Sequence, residues 1–239
     1  MVAVATFILK GGTEMVNILT SRSILGEPHV RKHLTNYIKK DMKVAIIAFS
    51  FFAPMDEKDY FDYYGKNGEY YIKMLEMFKT YDIDEKNIHF VYYYKMSAKE
   101  SLNIIKDADI LYFPGGAPDQ MMARIKEKGL LETIEAHDKI VAGSSAGAMI
   151  QFKNFHISID DDYKTFSLNE GLHMIDDFII EVHYKKKRRQ KRAMKRMHRM
   201  TKKDIYTLPD DGVIIYTEGK VLPLFSARKH YDKKGIYKG

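Results

Sequence analysis

The stretch with the clearest chemical potential is GSSAGA, residues 143–148, which directly follows the apolar run KIVA. Gly143 to Gly147 fit the pattern G-x-S-x-G, in which a sharp strand-to-helix turn lifts a serine clear of a sheet. Ser145 is therefore a candidate nucleophile. The backbone N–H of Ala146 begins the following helix, where partial positive charge stabilises an oxyanion. The same small residues also suit a helix start that serves packing alone.

A serine nucleophile needs a base, and that base is usually a histidine held by an acid. Among nine histidines we favour His183, because it ends the apolar run IIEV and parallel sheets present functional side chains at strand ends. His156 in NFHIS and His173 in EGLHM are the alternatives. A lone histidine is more often structural, so only its position at a strand end distinguishes His183.

The acid is predicted to come from the turn SIDDDY, which lies between the nucleophile and His183. The turn offers Asp160, Asp161 and Asp162, and the residues alone do not choose among them. An acidic turn of this kind is also common as a solvated surface feature.

A second small-residue turn, PGG at 114–116, ends the apolar run ILYF and precedes a helix that begins near Pro118. Two glycines at a strand end let the backbone approach a ligand closely, so Gly115 is a candidate for substrate binding. The N–H of Gly116 is a candidate second donor to an oxyanion. The turn lacks the glycine and lysine spacing of a phosphate-binding loop.

Strand-like and helix-like segments alternate around these turns. Apolar, β-branched runs are AVATFIL, KVAIIAFSF, IHFVYYY, DILYF, KIVAG and DFIIEV, and helical patterns are EPHVRKHLTNYIKK, EYYIKMLEMFKTY, SAKESLNIIKDA and APDQMMARIKEKG. This alternation predicts an α/β fold with a mainly parallel central sheet and helices on both faces. The tail IYTLPDDGVIIYTEGKVLPLF predicts short strands joined by turns, and the tyrosine-rich residues 59–71 predict a loop that leads into a helix.

The net charge of +7 comes from one segment, residues 185–203, which holds twelve Lys or Arg and no acid. We expect a helix with a narrow apolar stripe of Ala193, Met197 and Met200 or Thr201. Three roles fit it: a solvated helix, recognition of acidic substrate near His183, or binding of a polyanion.

Substrate recognition would involve the start of that segment, at the rim of the cleft. Tyr184 to Lys187 follow the candidate base directly, so Lys185 and Lys186 are the predicted substrate-binding cations. The run from Arg188 onward is expected to matter less, because exposed ion pairs contribute little.

Composition limits the classes of protein to which the chain can belong. The chain has 239 residues, 45% hydrophobic, which predicts one globular domain over 1–239. The absence of cysteine excludes disulfides and thiol catalysis and suits a cytoplasmic protein. We interpret the N-terminus MVAVATFILKGGTEM as a first strand, not a signal peptide, and no apolar run is long enough to span a membrane.

The order strand–PGG–helix, strand–GSSAGA–helix, aspartate turn and strand–His resembles the dipeptidase E / cyanophycinase family of serine peptidases, over roughly residues 43–219. The resemblance implies a flavodoxin-like, class I glutamine amidotransferase-like fold. It implies Ser145 as nucleophile, His183 as base and Asp160 as the acid that best matches the family spacing. Gly116 and Ala146 would then supply the oxyanion hole.

Two departures from the family pattern concern the substrate. Ala117 stands where members often carry Asn or Asp, and EVHYKKKRRQ differs from the polar motif around the histidine of cyanophycinase-like members.

The leading prediction is therefore a serine peptidase that cleaves short, acidic peptides without metal or cofactor, as a monomer or homodimer. The alternative is an inactive member of the same fold that binds a polyanion or a protein through the basic helix. A class I glutamine amidotransferase is disfavoured because those enzymes use cysteine, and nucleic acid is the least favoured partner because no base-reading motif is present.

Overall fold

The computed structural model describes residues 15–237. The strands in chain order are β1 Val16–Thr20, β2 Val44–Ala48, β3 Ile88–Tyr92, β4 Ile110–Phe113, β5 Ile140–Ser144, β6 Asn154–Ile157, β7 Ser167–Glu170, β8 Phe178–Val182, β9 Asp204–Leu208, β10 Val213–Thr217, β11 Lys220–Leu224, β12 Arg228–Asp232 and β13 Gly235–Ile236. The helices are α1 Pro28–Leu34, α2 Glu57–Tyr64, α3 Glu69–Lys79, α4 Ala98–Asp107, α5 Pro118–Glu127, α6 Leu131–Glu135, α7 Ala146–Met149 and α8 Arg188–Thr201.

The largest sheet has seven strands in the order β11-β10-β1-β5-β4-β2-β3. Five strands from β1 to β3 in that order are parallel, and β10 and β11 add an antiparallel edge. Helices α1 to α3 pack on one face and α4 to α7 on the other, which buries every residue of β1, β2 and β4. Strands covered on both faces require continuous apolar runs. The predicted α/β fold with a mainly parallel sheet is confirmed.

A smaller sheet, in the order β13-β12-β9-β8, carries part of the candidate site. Strands β8 and β9 are parallel, with Val182 opposite Leu208 at their carboxyl ends. The segments that follow these two strands therefore emerge side by side. Strands β6 and β7 form a separate antiparallel pair.

Several predicted helices are confirmed with their boundaries. Helix α4 begins at a capping box in which Ser97 and Glu100 satisfy each other's backbone N–H groups. Helix α5 has Pro118 in its first turn and ends two residues before Gly129. The predicted helix at residues 27–40 is shorter than expected, because α1 ends at Leu34.

The sequence predicted a loop for the start of the tyrosine-rich segment. The structure instead has helix α2 there, followed by helix α3. Tyr60 and Tyr64 of α2 are almost completely buried against the central sheet. Their rings pack on each other and on neighbouring aromatics, and the Tyr60 hydroxyl donates to the carbonyl of Ala48. Packing thus overrode the low helix propensity of a tyrosine-rich run.

The first predicted strand, AVATFIL at residues 3–9, lies outside the described residues. Strand β1, with the sequence VNILT, was not predicted and lies centrally in the large sheet. The prediction of a single domain over 1–239 stays a prediction. Within residues 15–237, none of the helices has both the length and the apolarity that crossing a bilayer requires.

The basic segment forms α8, as expected, with a different apolar stripe. Ala193, Met194 and Met197 are buried, and the two methionines pack against the smaller sheet, whereas Met200 is exposed. Ala193 and Met197 are buried as the sequence pattern predicted, but the pattern missed Met194 and wrongly included Met200.

Candidate active site

Ser145 lies on a sharp turn between β5 and α7. Its backbone has φ 51° and ψ −112°, a strained conformation for a residue with a side chain. The turn is held by the Ser145 N–H, which donates to the Thr20 carbonyl at 2.8 Å, and by the Ser145 carbonyl, which accepts from Ala148 and Met149. Ser145 is partly exposed although its neighbours are buried. The predicted elbow is therefore present.

The small residues around Ser145 are required by close approach of backbone segments. A Cβ on Gly147 would lie 1.9 Å from the carbonyl oxygen of Phe113, and a Cβ on Gly143 would lie 2.2 Å from the carbonyl oxygen of Gly147. Helix α7 thus packs directly on the ends of β4 and β5, with no space for side chains at these positions.

His183 follows β8 and faces the serine. Its Nε2 lies 2.9 Å from Ser145 Oγ. The His183 N–H donates to Ser21 Oγ, and its carbonyl accepts from the side-chain amide of Gln190. Gln190 is buried in the first turn of α8, and its Oε1 also accepts from the N–H of Lys185. The basic helix therefore anchors the segment that carries the histidine.

Asp210 is the acid that contacts His183, with Oδ1 at 2.6 Å from Nδ1. It follows β9, whose parallel pairing with β8 places it beside the histidine. Its other oxygen accepts from Arg22 at 3.2 Å, and Lys185 Nζ lies 3.8 Å away. Partial burial acts to raise the pKa of Asp210, but the hydrogen bonds from His183 and Arg22 outweigh it and lower the pKa below its ordinary value.

The expectation that Asp160 contacts the histidine is wrong in geometry. Asp160 Oδ1 instead accepts from the N–H groups of Asp162 and Tyr163, which makes it the capping side chain of its own turn. Asp161 pairs with Arg189 at 3.5 Å. The aspartate turn lines the cleft, but the carboxylate that contacts His183 Nδ1 is that of Asp210.

The two predicted oxyanion donors, Gly116 and Ala146, belong to the two small-residue turns that lie at Ser145. The Ala146 N–H is the first of α7 and has no partner within the helix, as at any helix start. Gly116 has φ 142°, and a Cβ there would lie 2.0 Å from the carbonyl oxygen of Ser50, so only glycine fits. Gly115 lies against the serine, since a Cβ on it would be 3.3 Å from Ser145 Cβ. Both small-residue turns therefore meet at the nucleophile.

A cleft of about 420 Å³ opens above Ser145 and His183. Its basic lining residues are Arg22, Lys185, Lys187 and Arg189. Lys186, which was predicted to bind substrate, is exposed and is not part of the lining, and neither is Gly115. The contribution of Arg189 was not expected, because the sequence suggested that only residues before 188 would reach the rim.

The two alternative histidines occupy other environments. His173 is half exposed and faces Glu135 and Glu170. His156 is buried, and its Nε2 lies 2.6 Å from Glu181 Oε2. Neither contacts Ser145, whereas His183 does. Within residues 15–237, no three His, Asp or Glu side chains converge as metal ligands would.

Asp210 was the contact that the sequence interpretation missed. The signal was present, because Asp210 and Asp211 follow the strand-like run IYTL, just as His183 follows IIEV. Recognising it required knowing that these two strands are parallel neighbours.

Comparison with known proteins bears on the family and the fold of the chain. The model for peptidase family S51 matches residues 18–224. A crystal structure of a proposed peptidase E protein from Listeria monocytogenes EGD-e has 18% identity and a TM-score of 0.60, and the match covers 88% of this chain and 98% of that one. A peptidase from an acI-B1 Actinobacterium has 15% identity and a TM-score of 0.55, with 90% and 97% covered. No curated protein matches the chain at a significant level.

Proposed function

We propose that this chain, which belongs to peptidase family S51, uses Ser145, His183 and Asp210 as a catalytic triad. As a member of that family it is a serine peptidase of the dipeptidase E type. The observation that carries the assignment of roles is the continuous chain of hydrogen bonds from Ser145 Oγ through the imidazole to Asp210. These connected hydrogen bonds also disfavour the alternative of an inactive binding protein.

The geometry supports acyl transfer in two steps. Ser145 Oγ attacks the scissile carbonyl while His183 Nε2 takes its proton, and the N–H groups of Gly116 and Ala146 stabilise the oxyanion. The imidazolium then gives its proton to the leaving amine, and the acyl-enzyme forms. Water deacylates it by the same proton path. Asp210 holds the proton on Nδ1, so that Nε2 is free to accept, and stabilises the imidazolium.

Reaction with a fluorophosphonate probe tests the nucleophile without knowledge of the substrate. We expect the probe to label Ser145, and labelling to vanish in Ser145→Ala. His183→Ala should slow labelling about 10²–10⁴-fold, the usual contribution of a positioned base. Ser144→Ala is the matched control, because this neighbouring serine is buried beside Tyr112 and should leave labelling intact. A folded protein that never reacts would contradict the proposal.

The finer proposal is a preference for short peptides with acidic groups. Lys187 and Arg189 line the cleft, and charges in a partly desolvated cleft interact more strongly than in water. The double change Lys187→Gln/Arg189→Gln should raise KM for acidic peptides and leave neutral ones nearly unaffected. Lys191→Gln/Arg192→Gln removes two exposed charges outside the cleft and is the matched control. Equal effects on both peptide classes would contradict the preference.

Two further expectations remain predictions of the sequence: a cytoplasmic location, and nucleic acid as the least favoured partner.

A further inference from the structure

The peptide bond between Gly115 and Gly116 is the part of the proposed oxyanion hole with the least rigidity of its own. Glycine lacks the side chain that restricts backbone rotation, and here two glycines are adjacent. A rotation of the peptide plane that they share would turn the Gly116 N–H away from an oxyanion. Donors of this kind act because they are already oriented before the reaction. The direction of this N–H therefore depends on contacts from outside the turn.

Ser50 makes those contacts. It lies two residues after β2 and is completely buried. Its Oγ donates to the Gly115 carbonyl at 2.7 Å, and its own carbonyl accepts from the Ala117 N–H at 2.7 Å. One residue thus bonds to the two peptide groups that flank the Cα of Gly116.

The bond to the Gly115 carbonyl also determines where the next N–H points. In a trans peptide the carbonyl and the N–H point in opposite directions, and the bond between Gly115 and Gly116 is trans. The carbonyl points at Ser50, so the Gly116 N–H points away from Ser50. Gly116 lines the cleft beside Ser145, whereas Ser50 lies outside that lining. The Ser50 hydroxyl therefore favours the peptide orientation that an oxyanion donor needs.

Arg124 of α5 holds the segment that carries Ser50. Its Nη1 donates to the carbonyls of Phe49 and Phe51, at 2.7 and 2.6 Å, and its guanidinium carbon lies 3.4 Å from the centroid of the Phe51 ring. Arg124 is 9% exposed and forms no ion pair within residues 15–237. A buried cation is costly without compensating contacts, and here backbone carbonyls on both sides of Ser50 provide them.

We infer that Ser50 is a positioning residue of the reaction, which directs the Gly116 N–H at the oxyanion. The inference rests on the proposed function, because it treats Gly116 as an oxyanion donor. Ser50 forms no hydrogen bond with Ser145 or His183, so it acts through the glycine turn. Loss of one oxyanion donor slows catalysis about 10²–10³-fold, and a donor that is present but no longer fixed should cost about ten- to a hundredfold.

The rate at which a fluorophosphonate labels Ser145 tests the inference, because the phosphoryl oxygen gains negative charge as the carbonyl oxygen of a peptide does. Ser50→Ala removes only the hydroxyl and should slow labelling about ten- to a hundredfold. The midpoint of the pH profile of labelling should not move, since the base His183 keeps its contacts with Ser145 and Asp210. Ser50→Cys fills the space with a weaker donor and should lie between Ser50→Ala and the wild type.

Ser101→Ala is the matched control. Ser101 is also a buried serine whose hydroxyl donates to a backbone carbonyl, that of Ser97, but it lies in α4 and outside the lining of the cleft. Its replacement should lower the midpoint of thermal unfolding without slowing the labelling of Ser145.

Three results would overturn the inference. They are a labelling rate of folded Ser50→Ala that stays within about twofold of the wild type, slow labelling with a shifted pH midpoint, and equally slow labelling of Ser101→Ala. If Ser50→Ala does not fold, Ser50→Cys decides by the same criteria. A wild type that is never labelled refutes the proposed function and this inference with it. A labelled wild type with an unaffected Ser50→Ala variant refutes the inference alone.

Discussion

Replacing Asp210 by asparagine, and Asp160 by asparagine in parallel, separates the two candidate acids. Asp210 accepts from His183 Nδ1 at 2.6 Å, which fixes the tautomer with a free Nε2 facing Ser145. An asparagine amide can donate to Nδ1 instead. The proton then sits on Nε2, where the imidazole can no longer accept the serine proton.

The expected cost for Asp210→Asn is about 10²–10⁴-fold in kcat, because both the tautomer and the stabilisation of the imidazolium are lost. Folding should be little affected, since the Asp210 side chain is 37% exposed. Asp160→Asn keeps an oxygen that can accept from the N–H groups of Asp162 and Tyr163, so its activity should remain within a few-fold of wild type.

The rate of fluorophosphonate labelling at Ser145 measures both variants without a known substrate, and thermal unfolding monitors their stability. Labelling should be slow for Asp210→Asn and near normal for Asp160→Asn. The reverse result, with Asp160→Asn inactive and Asp210→Asn active, would refute the triad proposed here and restore the acid that the sequence spacing suggested.

Two other changes test the surroundings of the site. Arg22→Gln removes a half-exposed ion pair of about 0–1 kcal/mol, so kcat/KM at neutral pH should fall at most about fivefold. The pKa of Asp210 should rise toward its ordinary value, because the hydrogen bond from Arg22 is lost. Any larger loss of kcat/KM should therefore be confined to acidic pH in a pH–rate profile. An equal loss of kcat/KM at all pH values would contradict this. Gly147→Ala places a Cβ 1.9 Å from the Phe113 carbonyl and should lower the free energy of unfolding by about 3 kcal/mol or more. Gly129→Ala, whose Cβ meets nothing within 4 Å and carries only the strain of φ 66°, should lower it by about 1 kcal/mol. Denaturant titration of both variants measures the two losses.

The local features of the site could be predicted from the sequence because each depends on neighbouring residues. A strand followed by GSSAGA predicts the turn at Ser145, and PGG followed by Pro118 predicts the second turn. His183 could be chosen from its place at a strand end. The pattern of apolar runs likewise predicted the parallel sheet and most of its helices.

The acid could not be predicted in the same way, because its position depends on which strands pair. The sequence was searched between the nucleophile and the base, where Asp160 lies. The structure instead supplies Asp210 from beyond the base, since β8 and β9 are parallel neighbours despite the intervening helix α8. Such non-local pairing has no signature in either strand alone.

Three consecutive residues at the carboxyl end of β1, residues 20–22, explain how two sheets present one site. The Thr20 carbonyl accepts from the Ser145 N–H, Ser21 Oγ accepts from the His183 N–H, and Arg22 donates to Asp210. This segment therefore holds all three members of the proposed triad, of which one follows the large sheet and two follow the smaller.

The same segment, residues 20–22, also holds two residues in strained backbone conformations. Ser145 has φ 51° and His183 has φ 49°, and neither is glycine. Each such conformation costs of order 1–3 kcal/mol and persists only where its surroundings fix it. Both N–H groups are fixed by residues 20–21, and Ser21 Oγ in turn donates to the Leu208 carbonyl at the end of β9. Residues 20–22 thus hold both strained residues, the nucleophile and the base, through hydrogen bonds to their backbone N–H groups.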